Sequence, residues 1–209
     1  MAQRLNIVNH AVLADRLTVL RDRTTSHPAF RQALFEASAI MAVEVARELP
    51  VNEVELETPL EVTRGPRLAA EVAVVPVLRA GLGMVEGFLR LLPDARVGHL
   101  GIQRNEDDHE PIPYFERLPP NVASMRVFVL DPMLATGGSA VHALQNLSRA
   151  GASQLELICL VAAPAGLAAV EAAYPDVPVW TAAVDRALDE NAYIRPGLGD
   201  AGDRVFGTT

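Results

Sequence analysis

The chain of 209 residues has a formal net charge of −8, half of its residues are hydrophobic, and all 18 of its cationic side chains are arginines. This length suits one domain, the acidic balance argues against a general nucleic-acid-binding surface, and no apolar run reaches the roughly 18 residues that a membrane span requires. Without lysine the chain can form neither a lysine Schiff base nor a lysine-dependent phosphate loop, and because its start lacks a signal-peptide pattern we expect a soluble cytoplasmic protein.

The first 70 residues are predicted to be mainly helical. Residues 27–50 carry apolar side chains at positions 30, 34, 37, 40, 41 and 45, which is close to helical spacing, and the segment is bounded by prolines.

From residue 72 onward, short apolar strands alternate with helices. We predict strands at 72–77, 97–102, 126–130, 155–161 and 177–184, and helices at 80–93, 137–151 and 165–174. This alternation predicts an α/β fold with a mostly parallel five-stranded sheet flanked by helices, buried on both faces. Ligands of such folds bind beyond the carboxyl ends of the strands. The single Cys159 lies in one of these strands, so we expect a buried, unreactive thiol.

Two segments depart from this alternation. Residues 103–125 are polar, acidic and rich in proline, and a connection of that length in a compact domain is typical of a functional lid. We expect residues 105–118 to be mobile when no substrate is bound. Residues 193–209 contain aspartate and glycine turn signals without a helical period, which predicts an ordered loop that covers another part of the molecule.

The segment from Asp131 to Ser139 follows a predicted buried strand directly. Its Thr136-Gly137-Gly138-Ser139 stretch precedes a helix, so backbone N–H groups, hydroxyls and the helix dipole can converge on a phosphate. An ordinary turn with Ser or Thr as the helix cap would use the same residues. Asp131 favours the ligand site, because a carboxylate beside a phosphate cradle suits a ribose 5-phosphate whose hydroxyls need an acceptor.

Four motifs together resemble a known family. The stretch "VFVLDPMLATGGSA" (127–140) resembles the phosphoribosyl-pyrophosphate (PRPP) signature of type I phosphoribosyltransferases, and Pro132 in place of a second acid is the pattern of uracil phosphoribosyltransferases. The stretches "VPVLRAGLGM" (75–84), "RNED" to "EPIPYF" (104–115) and "YIRPGLGDAGDRVFGT" (193–208) resemble the same family. The resemblance extends from about residue 9 to the C-terminus. Gln103 and Arg195 depart from it, since an aromatic and an apolar residue respectively are usual there.

The resemblance implies a single phosphoribosyltransferase domain, 1–209, with the helical region 1–70, a long β-hairpin-like lid at 103–125 and a C-terminal base-binding hood at 185–209. It assigns catalytic roles to Arg79, Arg104, Asp131 and Asp200. The PRPP-binding residues that it implies are Arg79, Arg104, Asp131, Pro132, Met133, Leu134, Ala135, Thr136, Gly137, Gly138, Ser139 and Asp200.

The uracil-binding residues that the resemblance implies are Ile194, Gly199, Asp200 and Ala201. A bent backbone strip could offer N–H, C=O and N–H groups to the edge of uracil without any particular side chain. The implied cofactor is Mg²⁺, held mainly through PRPP and without direct protein ligands.

The implied reaction transfers the 5-phosphoribosyl group from PRPP to uracil. The resemblance also suggests a homodimer or larger homo-oligomer and leaves open activation by GTP. The alternatives are a phosphoribosyltransferase for another base and a non-catalytic PRPP- or nucleotide-sensing regulator.

Overall fold

The computed structural model describes residues 5–104 and 111–208. The helices found in these ranges are α1 (Ala11–Arg21), α2 (His27–Ala46), α3 (Leu82–Leu91), α4 (Gly138–Arg149), α5 (Pro164–Ala173) and α6 (Ala201–Phe206). None of these helices combines the length and apolar composition that crossing a membrane requires.

The strands in the same ranges are β1 (Leu5–Ile7), β2 (Val51–Glu57), β3 (Val62–Leu68), β4 (Val72–Leu78), β5 (Arg96–Val97), β6 (His99–Arg104), β7 (Pro111–Arg117), β8 (Arg126–Leu130), β9 (Met133–Leu134), β10 (Gln154–Ile158), β11 (Val161–Ala162), β12 (Val179–Thr181), β13 (Ala183–Val184), β14 (Ala187–Leu188) and β15 (Ile194–Arg195).

The central sheet has the strand order β1-β12-β10-β8-β4-β6-β7, and β5 also pairs with β4. Every pair in it is parallel except β6 with β7, which is antiparallel. The predicted α/β fold with a mostly parallel sheet is confirmed, but the predicted number of five strands is wrong, since the sheet has eight within the described ranges. The prediction lacks β1 and β5, which are three and two residues long and too short for a periodic pattern, and β7, which lies in the segment assigned to the lid.

The core lies on both faces of this sheet. In β8, Phe128 and Leu130 pack with α1, α2 and α3, whereas Val127 and Val129 pack with α4 and α5 on the other face. This division follows from the two-residue period of a strand. Phe88 on α3 contacts Phe128 with a distance of 6.0 Å between ring centroids. Such two-sided burial explains why β8 is apolar from Val127 to Leu130.

The prediction of a mainly helical N-terminal region is confirmed for α1 and α2 and is wrong for residues 51–68. There β2 and β3 form an antiparallel hairpin, with Val51 opposite Leu68. Its turn is closed by Thr58, whose hydroxyl oxygen accepts hydrogen bonds from the N–H groups of Leu60 and Glu61. Both strands are largely exposed, so the segment has too little buried surface for a core-facing pattern.

The C-terminal segment is also more regular than the predicted loop, because β15 and α6 form within it. Asp200 caps α6 by accepting a hydrogen bond from the N–H of Asp203 at 2.9 Å, and Gly207 ends the helix in a left-handed conformation. Aspartate before a helix and glycine after it are common end signals. Six residues are too few to show a helical period, so only these end signals could have revealed α6.

Candidate active site at the carboxyl ends of the strands

One cleft, with a volume of about 410 Å³, lies beyond the carboxyl ends of β4, β8 and β6. The residues that line it come from separate parts of the chain and are Val77, Leu78, Arg79, Ala80, Ile102, Tyr114, Asp131, Ser139, Asp200 and Gly202. Because β4 and β8 are parallel neighbours with Pro76 opposite Leu130, the loops that follow them meet at the same edge of the sheet. The structure therefore brings together four residues that the sequence predicts for the site: Arg79, Asp131, Ser139 and Asp200.

Asp131 follows β8 directly and is half-buried. Its backbone N–H donates to the carbonyl of Ile158 at 3.1 Å, so the chain is still held to β10 at this position. One carboxylate oxygen, Oδ1, accepts a hydrogen bond from the N–H of Met133 at 3.3 Å. This contact orients the carboxylate at the edge of the cleft.

Residues 132–135 connect Asp131 to the Thr136–Ser139 loop. Met133 and Leu134 make up β9, which pairs with β11, and the carbonyl of Pro132 accepts hydrogen bonds from the N–H groups of Leu160 and Val161. Pro132, Leu134 and Ala135 are buried. Any contact of these three residues with a ligand would therefore involve their backbone groups, since their side chains pack in the core.

The Thr136–Ser139 loop leads into α4. Gly137 is the N-cap of this helix with a φ of 88°, and a Cβ at this position would lie 2.7 Å from the Cβ of Ala169. Both the left-handed backbone and the close approach of α5 require glycine here. Since glycine has no side chain to cap the helix, the N–H groups of the first turn of α4 are available to an anion. Thr136 and Ser139 are half-exposed beside them.

Arg79 reaches the cleft from the loop after β4. Its Nη2 donates to Oδ1 of Asp203 at 3.1 Å, across 124 positions of sequence. The hydroxyl of Thr208 also donates to Asp203. The pKa of Asp203 lies below its ordinary value, because the hydrogen bond from Thr208, which has the largest effect, and that from Arg79 together lower it by more than burial raises it. The sequence prediction did not include Asp203. Its position one turn after the cap residue Asp200 is the signal that could have pointed to it.

The C-terminal residues divide between the cleft and the core. Ile194 and Ala201 are buried among the hydrophobic residues of α1, α2 and α3, whereas Asp200 lines the cleft. Gly199 has a φ of 77°. Gly202, which the prediction also missed, has Oδ1 of Asp200 and Nη2 of Arg79 within 4 Å of where a Cβ would be. Of the four predicted uracil-binding residues, Asp200 therefore lines the cleft, Gly199 is exposed next to it in the sequence, and the side chains of Ile194 and Ala201 are buried.

Arg104 ends β6, where its backbone pairs with that of Pro111 on β7. The antiparallel pairing of β6 with β7 is that of a hairpin, and Tyr114 of β7 lines the cleft. Residues 105–110, which include the whole acidic stretch 106–108 of the predicted mobile lid, lie outside the described residues.

Cys159 is fully buried, and burial raises the pKa of its thiol to about 12. The predicted buried thiol is confirmed. A group with this pKa is protonated at neutral pH and is a poor nucleophile.

Comparison with known proteins agrees with this geometry. The model of the uracil phosphoribosyltransferase family matches residues 7–208. The chain belongs to the uracil phosphoribosyltransferase family. Uracil phosphoribosyltransferases of Salinibacter ruber and Streptococcus agalactiae are 51% and 48% identical to it over 206 residues. These alignments cover 99% of this chain and 98% of the Salinibacter protein, and 98% of this chain and 99% of the Streptococcus protein.

A solved structure of a protein from Aquifex aeolicus superposes on the chain with a TM-score of 0.94 and 34% identity, covering 98% of this chain and 99% of the other. Membership of the family therefore extends over the cleft and over both ends of the chain, as the sequence resemblance predicted.

Proposed function

We propose that the chain transfers the 5-phosphoribosyl group of PRPP to N1 of uracil, giving UMP and pyrophosphate, a reaction of pyrimidine salvage. The observation that carries the proposal is the cleft in which Arg79, Asp131, Ser139 and Asp200 meet, in a chain that the family model matches from residue 7 to residue 208. Neither the acidic net charge nor the absence of lysine conflicts with it, because the anions are small and are bound locally.

The ribose 5-phosphate of PRPP would occupy the loop before α4. Its phosphate accepts hydrogen bonds from the first-turn N–H groups of α4 and from the hydroxyls of Thr136 and Ser139. The 2′- and 3′-hydroxyls donate to Asp131, whose carboxylate is held at the edge of the cleft by the N–H of Met133. In this orientation the anomeric carbon would lie toward Arg79, which lines the same cleft.

The transfer needs no covalent intermediate with the protein. The bond from the anomeric carbon to a pyrophosphate oxygen breaks, the leaving pyrophosphate keeps the electron pair, and positive charge develops on the sugar ring. Uracil N1 then forms the new bond and releases its proton. Arg79 and Arg104 would stabilise the negative charge of the departing pyrophosphate, and the cleft would hold both substrates in line.

Mg²⁺ fits the oxygen donors of this cleft. Asp131 and Asp200 are its acids, and the described ranges contain no group of three or more His, Cys, Asp or Glu side chains that could hold a metal ion by themselves. Mg²⁺ keeps several waters and is commonly held by one or two carboxylates together with substrate phosphates. We infer that it binds with PRPP, with Asp131 and Asp200 contributing through water, and that it supplies further charge neutralisation for the pyrophosphate.

Uracil would be read by the strip of backbone from Ile194 through Gly199 to Ala201. Its edge presents an acceptor, a donor and an acceptor, which backbone N–H, C=O and N–H groups complement. A homo-oligomeric state and activation by GTP stay predictions that follow from the family resemblance, and a cytoplasmic location stays a prediction from the sequence.

The test is incubation of the purified chain with PRPP and Mg²⁺ together with uracil, cytosine, hypoxanthine or adenine in separate reactions, followed by detection of the mononucleotide. UMP from the uracil reaction alone is the expected result. Product from another base would identify a phosphoribosyltransferase of different specificity. PRPP binding measured by calorimetry, without any nucleotide product, would identify a sensing module instead.

A further inference from the structure

The two backbone groups of Gly197 are both held by side chains. Its N–H donates to Oδ2 of Asp185 at 2.8 Å, and its carbonyl accepts a hydrogen bond from Nη1 of Arg21 at 2.8 Å. Gly197 lies between Ile194 and Gly199, within the segment that would read uracil. The position of this turn therefore depends on a side chain from α1 and on one that follows β13.

Arg21 and Asp185 also bind each other. Nη1 and Nη2 of Arg21 donate to Oδ2 and Oδ1 of Asp185, each at 2.7 Å. Only 7% of the Asp185 surface is exposed, and its backbone N–H donates to the carbonyl of Ala162 at the end of β11. A two-point pair of this kind fixes orientation as well as distance. The carboxylate thus connects Gly197 to the strands beside the cleft.

The turn itself has little freedom to shift. Gly197 has a φ of 61°, and a Cβ on it would lie 2.1 Å from the carbonyl oxygen of Ile194. The next carbonyl, that of Leu198, accepts a hydrogen bond from Nη1 of Arg204 at 2.9 Å. Arg204 also donates to the carbonyls of Leu20 and Asp22, on either side of Arg21. Two arginines from opposite ends of the chain therefore hold two consecutive carbonyls.

We propose that Arg21 is a positioning residue for base recognition, acting through Asp185 and Gly197 to set the direction of the backbone groups from Leu198 to Ala201. Arg21 is not among the residues that line the cleft, and the proposal rests on the proposed function. If the strip reads the base through backbone groups alone, its selectivity depends on where the backbone is held. Loss of the contacts that Arg21 and Asp185 make with Gly197 then impairs the use of uracil more than the use of PRPP, which would bind at the other wall of the cleft.

The experiment compares Arg21→Gln with the matched control Arg16→Gln. Arg16 lies on the same helix and pairs with Asp15 and Glu36. For each protein kcat and KM are measured for uracil and for PRPP, together with the ratio of kcat/KM for uracil to that for cytosine. We expect Arg21→Gln to raise the KM for uracil and to lower the selectivity ratio, each by roughly tenfold to a hundredfold, because small misplacements of a site have effects of that size. The KM for PRPP should stay within about twofold, and Arg16→Gln should match the wild type.

Arg21→Lys supplies a variant that keeps the positive charge but loses the two-point geometry. We expect it to recover part of the selectivity, and it provides the decisive ratio if Arg21→Gln fails to fold. Equal changes in the KM values of both substrates, or an unchanged selectivity ratio in a folded Arg21 variant, would overturn the proposal.

Two further measurements separate this proposal from those on which it rests. Failure of the wild type to make UMP would reject the proposed function itself. Ala201→Val alters the strip directly and should raise the KM for uracil. An unchanged KM in that variant would reject the assignment of the strip, and with it the role of Arg21.

Discussion

Asp131 is the residue on which recognition of the ribose depends in the proposed reaction. Its carboxylate is half-buried, follows a strand whose residues are all apolar after Arg126, and is oriented by the N–H of Met133. Replacing it by asparagine keeps the size and one oxygen but removes the charge. A hydrogen bond to a charged group is worth about 1.5–3 kcal/mol.

We therefore expect Asp131→Asn to lower kcat/KM for PRPP by about 10- to 150-fold, since each 1.36 kcal/mol corresponds to about tenfold in rate. The KM for uracil should change much less. Steady-state kinetics with each substrate varied in turn make the measurement. Asp176→Asn, at an exposed aspartate before β12, is the control. Near-normal PRPP kinetics for Asp131→Asn would contradict the assignment.

Gly137 is the residue that permits the Thr136–Ser139 loop, the proposed phosphate site, to approach α5. Alanine at this position would combine a left-handed backbone with a methyl group 2.7 Å from the Cβ of Ala169. We expect Gly137→Ala to lower the free energy of unfolding by about 1–3 kcal/mol, from backbone strain and overpacking, and to raise the KM for PRPP. Urea unfolding and kinetics test both effects, with Gly199→Ala as the comparison, because there the nearest atom to a new Cβ would be 3.6 Å away. Equal free energies of unfolding for the two variants would show that α5 can move away from the new methyl group without loss of stability.

At the scale of elements, the backbone strip from Ile194 to Ala201, which ends at the first residue of α6, would decide the base in the proposed reaction. Uracil and cytosine have nearly the same shape, but cytosine has a bare N3 and an amino group where uracil has N3–H and O4. Against backbone groups placed for uracil, two buried groups would lose their partners, each at a cost of about 1–3 kcal/mol. A site built on hydrogen bonds can reject such an analogue by about 10⁴.

We thus predict strong selection for uracil without a discriminating side chain. Measured at saturating PRPP, kcat/KM should be high for uracil, similar for 5-fluorouracil, which keeps the same edge, and lower by about three to four orders of magnitude for cytosine. Comparable kcat/KM values for cytosine and uracil would contradict the recognition of uracil by backbone groups.

The hairpin of β6 and β7 is the element expected to respond to PRPP. β7 is an edge strand that pairs only with β6 in the described sheet, its side chains from Ile112 to Arg117 are exposed, and Tyr114 reaches the cleft. Strands with few buried contacts open readily, and closing over a reactive sugar excludes water. We expect PRPP with Mg²⁺ to slow hydrogen exchange of the β7 amides, as read by mass spectrometry, and to leave the central strand β10 unchanged. Equal exchange of β7 with and without PRPP would argue against a lid.

At the scale of the whole molecule, the sequence predicts what depends on nearby residues. Continuous apolar residues predict β4 and β8, and the residues that end them, Arg79 and Asp131, follow from motifs of a few positions. Parallel strands then place both residues at one edge of the sheet. The cleft was predictable to this extent because each part of it is encoded locally.

Contacts between distant residues were not predictable in this way. The bond of Arg79 to Asp203 spans 124 positions and that of Arg21 to Asp185 spans 164. Neither pair has a spacing that a helix or strand would reveal. The first depends on how the loop after β4 packs against α6, and the second on how the two ends of the chain pack together. The hairpin of β2 and β3 was missed for a different reason, since exposed strands carry no pattern of burial.

The same packing of the two ends predicts how stability depends on pH. Burial alone would raise the pKa of Asp185, but the hydrogen bonds from Arg21 and from the N–H of Gly197 outweigh it, so the pKa lies below its ordinary value. A carboxyl with a lowered pKa in the folded state stabilises the protein above its unfolded pKa of about 3.9, and this contribution is lost as the pH falls through the folded pKa.

We therefore expect Asp185→Asn to lower the free energy of unfolding at pH 7 by about 1–3 kcal/mol, the cost of leaving a buried polar partner unsatisfied. The difference from the wild type should stay constant down to about pH 5 and shrink below about pH 4, where the wild-type carboxyl takes up its proton. Urea unfolding between pH 3 and pH 7 measures this, and the exposed Asp94→Asn is the control with no expected difference. If the difference in the free energy of unfolding between Asp185→Asn and the wild type persists unchanged at pH 3, then the shape of the Asp185 side chain, and not its charge, accounts for the contact between α1 and the strip.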